Sequence, residues 1–163
     1  MKNEMQTRYM IHAAIIAALY VVFTYMAWGF DLASGVIQCR VSEALCVLPF
    51  FTGAAIPGLT AGCFLANLLT GSPVPDVVFG TLATLLGAAG SWMLRKNRFA
   101  CSVPPVISNA LIIPFVLRFA YGVPDAIPFM MLTVGAGELI ACVLFGQVLI
   151  TALTPFRQRL FAV

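Results

Sequence analysis

Apolar runs of between twelve and twenty-eight residues fill this chain, and Gly, Pro and a few charged residues break them at short intervals. The runs predict helices over residues 9–27, 41–52, 55–69, 76–94, 100–119 and 126–153. Crossing a bilayer takes about 20 apolar residues, so the second helix is short for a full crossing. Small residues recur every four positions. Ala13 pairs with Ala17 and Ala14 with Ala18, while Ala54, Gly58, Gly62 and Ala66 form a ladder, and Gly80, Thr84 and Ala88 another. Residues four apart share a helix face, and small side chains let a second backbone approach closely. The ladders therefore predict tight seams, within the chain or against a separate membrane protein. Pro104, Pro105 and Pro114 fall in the fifth run, where neighbouring helices or lumen water must satisfy the freed carbonyls.

Composition turns this pattern into a class. Hydrophobic residues make up 61% of the chain and charged residues 9%, with a mean hydropathy of +1.00; soluble domains carry about 25% charged residues. The expectation is an all-α integral membrane protein of the plasma membrane, a single domain over 1–163 with six spans. There is no room for a nucleotide-binding domain and no G-x-x-x-x-G-K-[ST] phosphate loop. Uphill transport would draw on a partner or an ion gradient. The charged head before the first run has the outline of a signal peptide, but no A-x-A site precedes a polar mature domain, so that run is expected to be retained. Cys39, Cys46, Cys63, Cys101 and Cys142 show no C-x-x-C pair and no zinc-like spacing with His, and read as packing residues. No metal, cofactor or nucleic-acid partner is expected.

Charge then gives an orientation. Six spans put Lys2, Arg8, Arg95, Lys96, Arg98, Arg157 and Arg159 on one side and only Arg40 and Arg118 on the other. Positively charged loops face the cytoplasm, so both termini are expected there. The acidic residues Asp31, Glu43, Asp76 and Asp125 gather toward the outer half.

Polar groups inside spans carry the chemistry, because an ionisable residue there is costly unless paired or facing a cavity. Glu138 lies about a dozen residues into the last span, beside Gly135 and Gly137. It is read as a ligand acceptor, an ion-pair partner of Arg40 or Arg118, or a proton relay. Arg40 and Glu43 are three apart, close enough to neutralise each other; otherwise Arg40 holds a ligand oxygen or the 28–39 loop while Glu43 faces inward. Asn67 and Asn109 both donate and accept, to a ligand or between helices. Asp76 is a ligand candidate or a cap of its own helix. Gln38, Trp28 and Tyr121 are weaker candidates, and His12 reads as a packing or interface residue. Carboxylates, amides, an arginine and aromatics suit a flat, donor-rich heterocycle. No Ser-His-Asp or paired-His set can be assembled, so an enzyme is not expected.

The strings QCRVSEALCVLP and PGLTAGCFLANLL resemble the QueT family of substrate-binding (S) components of energy-coupling-factor transporters. The six-span layout and the Ala13, Ala17 motif of the first span are similar to that class across nearly the whole chain. The resemblance implies capture of a queuosine precursor outside the cell, a 7-deazaguanine such as 7-aminomethyl-7-deazaguanine (preQ1) or queuine. It also implies as partners a transmembrane coupling protein, docked on Ala13 and Ala17, and two cytoplasmic ATPases. On this reading Glu138 takes the N–H groups of the guanine-like edge. Asn67, Asn109, Gln38 or Arg40 donates to its carbonyl, and Glu43 or Asp76 meets the aminomethyl cation. Another vitamin or purine on the same fold, or a self-contained proton-coupled carrier using Glu138 and Glu43, is the alternative.

Overall fold

The computed structural model describes residues 2–29 and 41–161, and these are helical throughout apart from turns, with no strand among them. Helix α1 (Lys2–Gly29) is followed by a 3-10 segment (Val41–Phe50), α2 (Ala55–Leu69), α3 (Val74–Met93) and α4 (Val103–Phe119). The last span is a composite of α5 (Ile127–Glu138), a π-helical stretch (Leu139–Phe145) and α6 (Gly146–Leu153), with a short α7 (Arg157–Leu160) after it. Six apolar segments result, as expected for a multi-pass membrane protein. Four are long and apolar enough to cross a bilayer; Val41–Phe50 and Ala55–Leu69 are shorter.

The short second segment is the axis of the bundle. A 3-10 helix rises about 2.0 Å per residue, so ten residues reach about 20 Å, against a hydrocarbon core of about 30 Å. It need not span lipid, because eight of its ten residues, Ser42 through Pro49, are buried by the surrounding helices. The bends around it come from sequence: Pro49 cannot donate a backbone bond, and the chain turns with Phe51 N donating to Leu48 O at 2.9 Å. Gly146 gives the segment room, since a Cβ there would lie 2.6 Å from Val47 Cγ1.

The expected ladder on α2 is a seam against α1. Without bilayer-driven apolar attraction, packing depends on close backbone approach. A Cβ on Gly58 would sit 2.7 Å from Ala13 O, and one on Gly62 would sit 3.0 Å from Ala17 Cα. Ala66 on α2 and Ala54, the residue just before that helix, are fully buried.

Both ends of the chain meet at one end of the bundle. Phe161 stacks on Phe51 with ring centroids 4.9 Å apart, and Tyr9 Oη donates to Gly53 O at 3.0 Å. Arg157 lies over the Phe50 ring. Arg95, Lys96 and Arg98, between α3 and α4, belong to this end as well, since Arg98 bonds Gln147 and Thr151 of α6.

Candidate functional site

Two acidic residues predicted from distant parts of the chain come together. Glu43, near the start of the 3-10 segment, is 1% exposed, and Glu138, the last residue of α5, is 5% exposed. One carboxylate oxygen of each and Cys142 Sγ all lie within 4.8 Å of one another. Cys142 Sγ lies 3.4 Å from Glu138 Oε2 and 3.3 Å from Glu43 O, tying the π-helical stretch to the 3-10 segment. Such π-helical turns are frequent at functional sites.

Donors surround Glu43. Cys46 Sγ donates to Glu43 Oε2 at 2.9 Å, and the Tyr20 hydroxyl of α1 donates to Glu43 Oε1. Buried charge is stabilised only when paired or hydrogen-bonded. Two carboxylates so close in a medium of low polarity repel, so a positively polarised ligand edge between them would relieve the repulsion. Carboxylates and a thiol could also coordinate a cation by reach alone; their chemistry equally fits N–H donors.

A second polar group lies nearer the end of the bundle away from the termini. Tyr121 Oη donates to Asp76 Oδ2 at 2.7 Å, and Asn67 Nδ2 donates to Asp76 O at 3.4 Å. Asp76 sits in the first turn of α3, where the helix dipole favours a carboxylate, but no side chain caps that helix at its N-cap, Pro73. Capping in the strict sense is therefore not its role. Gly62 abuts Tyr20, and Asn67 follows five residues on, about 7.5 Å farther along the axis. Asn67 and Asp76 thus meet where the end of α2 faces the first turn of α3.

Asn109 of α4 is 3% exposed, and its amide nitrogen has no partner among the described residues; the same holds for Ser42 Oγ. An unsatisfied buried donor is costly and calls for an explanation, and a ligand acceptor would supply one. Arg118 is exposed and donates to Val123 O at 3.0 Å, so the guanidinium expected as one partner for Glu138 is engaged elsewhere. Gln38, Arg40 and the expected lid from residue 30 on lie outside the described residues. A hollow of about 400 Å3 between α3 and α4, lined by Pro75, Phe79, Leu111, Phe115 and Phe119, is apolar and offers no acceptor to a donor-rich base.

Ala13 and Ala17 pack within the bundle. Both lie in the α1–α2 seam against Gly58 and Gly62, and Ala17 is buried. Ala14 and Ala18, the overlapping pair one residue along, are exposed. Tyr20 was not singled out from the sequence at all. Its signal was nonetheless there, because it shares the Ala13–Ala17 face, and a buried tyrosine hydroxyl requires an acceptor.

Comparison with known proteins fits this picture. A family profile described as QueT transporter matches residues 10–155. The queuosine precursor transporter QueT of Lactococcus lactis subsp. cremoris (strain MG1363) is 40% identical over 84 residues, which is 52% of this chain and 49% of that protein. The match thus spans about half the length of this relative. No solved structure matches the chain.

Proposed function

The chain belongs to the QueT transporter family, and on that premise we propose that it is the substrate-binding subunit of an energy-coupling-factor importer that captures a queuosine precursor. The substrate class is a 7-deazaguanine such as preQ1 or queuine. The buried Glu43–Glu138 pair is the observation that carries this reading. The guanine-like edge presents adjacent N–H donors, and two carboxylates with oxygens a few ångströms apart can receive them together. Hydrogen bonds to ionised acceptors are about twice as strong as neutral ones. Asn109 supplies a donor for the ring carbonyl. Asn67 and Asp76 line the approach from the outer side, Asp76 attracting the aminomethyl cation. Gln38 and Arg40 remain candidate donors to the ligand carbonyl. The name of the Lactococcus relative supports a queuosine precursor as the cargo.

Seven of the nine basic residues, Lys2, Arg8, Arg95, Lys96, Arg98, Arg157 and Arg159, lie toward the end where the termini meet, which supports placing that end in the cytoplasm. The glutamate pair is then reached from outside. Energy comes from two ATPase subunits through a transmembrane coupling protein. The exposed α1 face around Ala14 and Ala18 is the better docking surface, because Ala13 and Ala17 already hold α2.

Calorimetric titration of the purified protein with 7-aminomethyl-7-deazaguanine tests the reading. Wild type should bind with a single site. Removing one charged acceptor in Glu138→Gln should weaken binding by about tenfold or more, from about 1.5–3 kcal/mol for a hydrogen bond to a charged group. Unchanged affinity in both Glu138→Gln and Glu43→Gln would remove the pair from the site. Uptake into vesicles lacking any ATPase would favour a self-contained carrier.

A further inference from the structure

The composite last span carries a feature unrelated to the substrate site. Along its outer side runs a groove of about 820 Å3, lined by Phe99, Leu139, Ile140, Leu144, Val148 and Ala152 among others, with Arg98 at its mouth. Leu139, Leu144 and Val148 are each more than half exposed. The π-helical stretch Leu139–Phe145 and α6 share the groove's wall along the last span.

Arg98 is held in place by neutral groups. Its Nε donates to Gln147 Oε1 at 3.0 Å and one Nη donates to Thr151 Oγ1 at 2.8 Å. Gln147 is fixed in turn, since its Nε2 donates to Arg98 O and to Ser102 Oγ, the latter at 2.9 Å. No carboxylate neutralises Arg98 among the described residues. A guanidinium carries five N–H donors, so full charge and further donors remain for an anion. Arg95, pinned over the Trp92 ring at 3.8 Å, and Lys96 stand in the same short connection.

We infer that this groove is a binding site for one anionic phospholipid, its acyl chain along the last span and its phosphate on Arg98. Charge complementarity selects this occupant over a neutral lipid or a partner helix, because the fixed cation lies where a lipid phosphate sits, at the polar end of an apolar channel. Basic pockets at the cytoplasmic ends of spanning helices recognise anionic headgroups in this way. The inference is independent of the substrate assignment.

Native mass spectrometry of the full chain in neutral detergent tests it, with dioleoyl phosphatidylglycerol and dioleoyl phosphatidylcholine supplied together. The expected result is one retained phosphatidylglycerol, favoured at least tenfold over phosphatidylcholine. Arg98→Gln should abolish that preference, and Arg159→Gln, at the same end but off the groove, should preserve it. Because Arg98→Gln also breaks the Gln147 and Thr151 bonds, Leu144→Ser serves as a second variant. It alters only the exposed wall and should lower retention several-fold. Soluble glycerol phosphate should not displace the lipid. Equal retention of the two lipids, no lipid on wild type, equal loss in Arg98→Gln and Arg159→Gln, no loss in Leu144→Ser, or displacement by glycerol phosphate would each overturn the assignment.

Discussion

Adding one methyl group at Gly62 should loosen the bundle and the substrate site together. A Cβ built there lies 2.8 Å from Tyr20 Cβ and 3.0 Å from both Cα and O of Ala17. Carbon atoms settle at about 3.5–4.0 Å, and two of the three neighbours are backbone, which cannot rotate away. Helix α1 must therefore retreat by on the order of 1 Å. Tyr20 travels with it, and its hydroxyl holds Glu43 Oε1. An O–H···O bond tolerates only about 2.5–3.0 Å, so that retreat breaks it. Overpacking costs about 1–3 kcal/mol, and a hydrogen bond to a charged acceptor adds about 1.5–3 kcal/mol. Gly62→Ala should lower the unfolding midpoint in detergent by about 5 °C or more, at about 2–4 °C per kcal/mol for a chain this size. Affinity for the 7-deazaguanine should fall as well. Gly29→Ala is the control, since a Cβ there meets nothing within 4 Å. If Gly62→Ala melts with Gly29→Ala and binds normally, the seam does not set the position of Tyr20.

Other substitutions separate the parts of the account. Tyr20→Phe keeps the ring but removes the donor to Glu43, so calorimetry should show affinity falling by about tenfold; in a Glu43→Gln background the same change should cost little more, because the two residues act as a unit. Ala18→Trp, on the exposed face, should abolish uptake in reconstituted vesicles carrying the partner subunits while leaving ligand affinity intact. Ala17→Trp, which faces α2, should instead reduce folded yield, measured by monodisperse recovery on size exclusion. Gln147→Leu strips Arg98 and Ser102 of a shared partner and should lower the unfolding midpoint without altering affinity.

Much of this arrangement was legible in the chain because apolar runs, small-residue ladders and rare charges each have one economical reading in a bilayer. The Gly58–Gly62 ladder predicted a seam, and a seam is what it forms. Glu43 and Glu138 drew notice because burying a carboxylate is costly, and they are buried side by side. Which of two overlapping alanine pairs faces α2 was not legible, since both satisfy the same four-residue spacing and only the partner helix decides. The 3-10 winding of Val41–Phe50 and the π-helical turn after Glu138 follow from tertiary crowding around the axis, which periodicity does not encode.

A structure of the protein with 7-aminomethyl-7-deazaguanine bound tests the central claim most directly. The account predicts ring N–H groups within about 2.7–3.2 Å of carboxylate oxygens on Glu43 and Glu138. A ligand resting elsewhere, touching neither Glu43 nor Glu138, would contradict it.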